Sequence, residues 1–247
     1  FMNMGVTAEN LAEKYEITRL EQDTFAVESN KKTTAAHEKG HFKNEIVPIK
    51  GVDYDDGARA DSSVETLAKL RTAFKSVDDG GTVTAGNASQ VTDGASAVMV
   101  TSESFAAANN LPVKAIILGY GEASLAPEIM GLGPVDASKE ALKRAGLTMA
   151  DIDIVELNEA FAAQSIAVMK EFEKQGHKID PAKVNLDGGA IAMGHPLGAS
   201  GARIVGHLSE VLQRENKRYG LATMCIGGGQ GVAMVIENPA AAPKPSV

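Results

Sequence analysis

A chain of 247 residues, 44% hydrophobic and 23% charged, fits a globular protein of one large domain or two smaller ones. Its net charge of −8 and pI of about 5.2 argue against a nucleic-acid partner, because phosphate binding wants a basic field. No apolar run reaches membrane-spanning length, no basic-then-apolar leader opens the chain, and the lone Cys225 excludes an internal disulfide and suits a reducing, cytoplasmic setting.

The opening, Phe1-Met2-Asn3-Met4-Gly5, reads as the interior of a longer sequence. Residues 1 to about 50 are predicted helical, with a capping-box pattern at Thr18-Arg19-Leu20-Glu21, a run through Ala36 and a stop at Gly40. Residues 44 to 81 are irregular, with turns at Asp55-Asp56-Gly57 and Asp78-Asp79-Gly80-Gly81 and a short helix between Ser63 and Phe74. Thr82 to Ala88, Ala95 to Thr101 and Val113 to Tyr120 read as strands. A regular alternation follows. Ser138 to Ala145 reads as a helix stopped by Gly146, Ile152 to Leu157 as a strand, Glu159 to Phe172 as a helix and Val184 to Leu186 as a strand. Pro196 to Arg214 reads as a helix, and Leu221 to Cys225 and Val232 to Ile236 as a closing pair of strands. The Ala- and Pro-rich stretch from Asn238 to Val247 is expected to trail off the fold. Alternating strands and helices imply an α/β protein with a mostly parallel, buried sheet.

Three segments carry the chemistry, each after a strand or at a helix start, where α/β proteins place their sites. Asn158, straight after the strand ending at Leu157, is either a plain helix N-cap or a side chain that holds a water or an oxyanion. His195 lies in a glycine-rich run from Gly188 to Gly201, where backbone can approach a ligand closely. At the start of the next helix its ring is expected to stay neutral and donate one N–H. The alternative is a packed histidine at a tight turn. Cys225 opens into Gly227-Gly228-Gly229, which is expected to leave its sulfur accessible for acid/base work. Its ordinary reading is a small buried apolar residue. The glycine loop is not a dinucleotide fingerprint, since a strand and not a helix follows it. His37, His41 and His177 read as solvated and His207 as mid-helix, and no spacing suggests a metal site.

Taken in order, NEAFAA at 158–163, GGAIAMGHPLGASGAR at 188–203 and CIGGGQG at 225–231 resemble the thiolase family. MGVTAEN at 4–10, EQDTFAVES at 21–29 and TVTAGNASQVTDGASA at 82–97 extend the resemblance over nearly the whole chain. It implies a layered α/β/α/β/α fold. Residues 1–81 would be a loop region over coenzyme A, 82–112 the final strands of an N-terminal half otherwise missing, and 113–247 the C-terminal half. It implies that His195 activates the nucleophile and lends an N–H to the thioester oxyanion, and that Cys225 moves a proton at the α-carbon. Asn158 would hold a water in one oxyanion hole, and the Gly227 N–H would serve the other. Ser89, Arg59, Met4 and Phe161 would contact the substrate.

The implied activity is condensation of two acetyl-CoA to acetoacetyl-CoA and coenzyme A, or the reverse, in lipid metabolism such as the mevalonate pathway. No metal or redox cofactor is implied, and the assembly would be a homodimer or homotetramer. Two departures stand out: no Cys precedes position 225, so the acyl-carrying nucleophile is expected outside this chain, and Asn3 stands where His often precedes Met-Gly. A 3-ketoacyl-CoA thiolase of fatty acid breakdown would share every motif. A chain of this extent could also bind coenzyme A or a partner without turnover, and alone it is expected to associate non-natively.

Overall fold

The Thr18 capping box forms as read. Thr18 Oγ1 accepts from the Glu21 N–H at 3.2 Å, and the Glu21 carboxylate accepts from the Thr18 N–H at 2.7 Å. It opens the longest helix of the computed structural model, which describes residues 2–242. The helices are α1 (Met4–Lys14), α2 (Arg19–Glu38), α3 (Val64–Leu67), α4 (Glu103–Ala108), α5 (Gly133–Ala145), α6 (Ala162–Lys174), α7 (Ala190–Met193) and α8 (Ser200–Arg214). The strands are β1 (Ile116–Ser124), β2 (Ile154–Leu157), β3 (Tyr219–Ile226) and β4 (Gln230–Glu237).

The strands form one four-stranded sheet in the order β1-β4-β3-β2. β2 and β3 are parallel, with Leu157 opposite Thr223, whereas β3–β4 and β1–β4 are antiparallel. The expected mostly parallel sheet is therefore corrected to a mixed one among the described residues. Residues 227–229 join β3 to β4 as a tight hairpin, which permits only antiparallel pairing, while β2 reaches β3 through α6 to α8.

Alternation along the strands sorts two cores. Val155, Leu157, Leu221 and Val235 face a layer that includes Leu11, Ile17, Leu142, Val168 and Phe172 from α1, α5, α6 and the turn after α1. Ile154, Ala222, Met224 and Ile236 face Ile204, Leu208, Val211 and Leu212 of α8. Val83 belongs to the first core, so the opening residues pack into the same interior as the sheet.

Several boundaries differ from the sequence reading. Neither 82–88 nor 95–101 forms a ladder, apart from isolated bridges of Thr84 to Thr72 and of Ala88 to Phe161. Val98, Met99 and Val100 are exposed, because no strand among the described residues lies beside them. Val184 makes only an isolated bridge to Val155, and the helix read across 63–74 shrinks to α3. Asn238 does not trail away: its amide donates to the carbonyls of Leu212 and Lys217. Residues 243–247 of that tail lie outside the described residues.

Candidate active site

The parallel pair β2–β3 sets the site. Asn158 is the first residue past β2, and its N–H donates to the Thr223 carbonyl at 3.0 Å. Cys225 lies two residues further along β3, so both sit at the C-terminal ends of neighbouring parallel strands. The N-cap reading of Asn158 fails, since α6 begins only at Ala162 and Phe161 occupies the cap position. Asn158 is buried, and its Oδ1 has no hydrogen-bond partner. Its Nδ2 lies 3.4 Å from His195 Nε2, bringing two of the three segments together.

His195 stands five residues before α8, not in its first turn. Its backbone N–H donates to Thr92 Oγ1 at 3.2 Å, and its Nδ1 lies 2.6 Å from Ser200 Oγ. Gly194, at φ +92°, takes a backbone conformation that L side chains rarely adopt, and an added Cβ would collide with Thr92. Burial, and the positive charge of Arg203, hold the His195 ring below the ordinary imidazole range, so it is neutral at neutral pH.

Cys225 is 5% exposed and packs with Met4, Met130, Ala160 and Phe161. The expected accessible sulfur is thus corrected: Cys225 is a side chain of the sheet's inner face. Burial pushes its thiol up to about 12. Gly227, next in the hairpin, is exposed, and a Cβ there would sit 3.5 Å from Met4 Sδ.

The remaining predicted contacts divide. Met4 and Phe161 line the cysteine, and Phe161 meets Phe74 edge-on at 6.0 Å. The Ser89 N–H donates to the Ala160 carbonyl at 3.0 Å, which keeps that backbone beside the cysteine cluster. Arg59 has an exposed side chain, and its backbone N–H donates to Asn30 Oδ1 at 2.8 Å. Among the described residues, no group of three or more His, Cys, Asp or Glu is placed to hold a metal ion.

Sequence reasoning missed two buried sets. The Glu159 carboxylate accepts from Ser29 Oγ at 2.6 Å, from Asn185 Nδ2 at 2.8 Å and from the Ile191 N–H at 3.2 Å. It thereby ties the Asn158 loop to α2 and to the glycine segment that carries His195. Behind the sheet, His207 Nδ1 bonds Glu45 at 2.9 Å, and Asp187 accepts from Arg214 Nη1 at 2.7 Å and lies 2.8 Å from His41 Nδ1. His41 is therefore the partner of a buried carboxylate and the buried His207 that of a half-buried one. A glutamate near a helix start and a histidine within a helix look solvated in sequence, so nothing short of the tertiary contacts marks them.

Comparison with known proteins gives the family. Residues 2–104 match the model of the thiolase N-terminal domain and residues 111–238 that of the thiolase C-terminal domain. The chain belongs to the thiolase family. It is 50% identical to an acetyl-CoA acetyltransferase of Pseudomonas aeruginosa over 243 residues, 95% of this chain and 60% of the relative. It is equally similar to an Escherichia coli acetyl-CoA acetyltransferase, covering 96% of this chain and 60% of that one. Human mitochondrial 3-ketoacyl-CoA thiolase superposes with a TM-score of 0.89 at 42% identity, over 97% of this chain and 60% of that one. The same human enzyme in complex with CoA gives a TM-score of 0.87. The chain thus spans about 60% of the length of the relatives it matches.

Proposed function

We propose that the protein is an acyltransferase that joins two acetyl-CoA molecules into acetoacetyl-CoA and coenzyme A, and runs the reverse thiolysis. One observation carries the reading: Asn158 and His195 meet at the strand end that bears Cys225. Condensation needs a carbanion beside a thioester carbonyl and fixed donors for its oxygen. The Cys225 thiol gives its proton to the departing coenzyme A thiolate. The resulting Cys225 thiolate takes a proton from the methyl of the second acetyl-CoA, and the carbanion attacks the acyl thioester carbonyl, forming the new C–C bond as the acyl-carrying sulfur leaves as the thiolate that begins the next turnover. Asn158 Nδ2 and a neutral His195 hold the carbonyl oxygen meanwhile.

On this reading Cys225 is the acid/base, and the acyl-carrying thiol comes from outside these residues, because the chain has no second cysteine. Two of the relatives described are acetyl-CoA acetyltransferases at 50% identity, which supports acetyl over longer acyl groups; the human structure keeps 3-ketoacyl-CoA thiolysis as the second reading. The acidic, single-cysteine composition supports a cytoplasmic setting, and the exposed apolar side chains near Val98 support assembly as a dimer or tetramer.

The test places these residues in the corresponding segment of the Escherichia coli relative. The fusion is expected to cleave acetoacetyl-CoA with free coenzyme A, faster than it cleaves longer 3-ketoacyl-CoA esters. Cys225→Ala and His195→Ala are each expected to lower kcat by about two to four orders of magnitude. A folded but inactive fusion, or one indifferent to both substitutions, sinks the reading. The chain alone is expected to show no turnover.

A further inference from the structure

Ser200, fully buried at the first position of α8, bonds the face of the His195 ring that points away from Asn158. Its hydroxyl has one proton and two neighbours, His195 Nδ1 at 2.6 Å and the Pro196 carbonyl at 3.1 Å. That carbonyl already accepts from the Ala199 N–H at 2.8 Å and the Ser200 N–H at 2.9 Å. A carbonyl oxygen has two lone pairs, and both are engaged. The hydroxyl proton is then better placed on the shorter line to Nδ1.

We propose that Ser200 is a positioning residue that sets the His195 tautomer, donating to Nδ1 and so keeping the ring proton on Nε2. A neutral imidazole carries one N–H, and what bonds one nitrogen decides which of them holds it. With the proton on Nε2, that N–H and the Asn158 amide face one another across 3.4 Å as two donors. Two donors cannot satisfy each other, so both turn to a third atom that accepts, the oxygen of a thioester or enolate. The buried Asn158 Oδ1 has no protein partner, so no protein group competes for the amide's orientation. In the other tautomer Nδ1–H would donate to Ser200, and the hydroxyl would have to crowd onto Pro196 as a third donor. Rotation of this one hydroxyl therefore separates a resting ring that donates from Nε2 and a ring whose Nε2 is bare and basic.

The tautomer is read by nitrogen NMR of the chain with labelled histidine, His195 being assigned by its loss in His195→Gln. The expected wild-type signal has a bare Nδ1 and a protonated Nε2. Ser200→Ala is expected to give a mixture with Nδ1–H populated, and Ser200→Thr to restore the single form. A wild-type proton on Nδ1, or an unchanged tautomer in Ser200→Ala, overturns the proposal, and the wild-type spectrum decides even if a variant fails to fold. The consequence for rate rests on the acyl-transfer reading. In the active fusion Ser200→Ala is expected to lower kcat about ten- to a hundredfold with KM little changed, and Ser200→Thr to recover most of it. An inactive fusion beside the expected wild-type tautomer counts against that reading and leaves Ser200 supported.

Discussion

Two stretches of the chain are built from nearly the same letters and end differently. Ala97-Val98-Met99-Val100 and Ala233-Met234-Val235-Ile236 are both short apolar runs of strand-forming residues. The second is β4, paired on both sides and buried at Val235 and Ile236. The first pairs with nothing among the described residues, and Met99 is 79% exposed. A strand is a relation between neighbours, since its N–H and C=O groups need partners and its side chains need a facing layer.

Ile236→Ala is expected to have the largest effect on stability, about 2–5 kcal/mol in urea unfolding, because it opens a hole against α8. Met99→Ala is its control, with an expected change below about 0.5 kcal/mol. Equal losses would mean that 97–100 is packed in solution, and the contrast would collapse.

Glu156 gives an intermediate effect. Its backbone is paired in β2 while its Oε1 has no partner, and burial raises its carboxyl to about 7. The folded protein then holds that proton more tightly than the unfolded chain, where the group titrates near about 4.3. The stability from this group is full below the lower value and is lost as pH rises through the higher one. His207, raised in its turn by Glu45, Glu156 and Asp187 against its own burial, acts in the same direction. Glu156→Gln is therefore expected to gain on the wild type by on the order of 2 kcal/mol between pH 5 and 8. An opposite slope in the difference between their urea midpoints would refute this assignment.

The smallest effect is expected from Met99→Lys. It should leave the unfolding midpoint in place and reduce self-association in light scattering, because it breaks an exposed apolar run. No change in association would show that the run is not what draws chains together.

Much of the site was legible because it is local. The short runs around Asn158, His195 and Cys225 are each written in consecutive residues, and α2 announced its start through Thr18 and Glu21. What escaped depends on distance along the chain. Cys225 looked open because glycines follow it, yet α1 and the turn before α5 bring Met4 and Met130 onto it. Glu159 looked like a first-turn acid until Ser29, Asn185 and Ile191 closed around it. The sheet looked mostly parallel because alternation does not say which way β1 and β4 run.

The bond from Ser29 to Glu159 also sets a timetable. Its two ends lie 130 residues apart, Tyr15 and Glu171 lie 156 apart, and Glu45 and His207 lie 162 apart. At about 5–20 residues per second of synthesis, α2 waits roughly 6 to 26 seconds on the ribosome before Glu159 exists to receive it. Its inward side, with Gln22, Asp23, Ser29, Asn30 and Thr33, is polar enough to wait in water. A greasier α2 would leave Glu159 without its Ser29 partner in the finished protein and, before that, would spend the interval looking for the wrong partner.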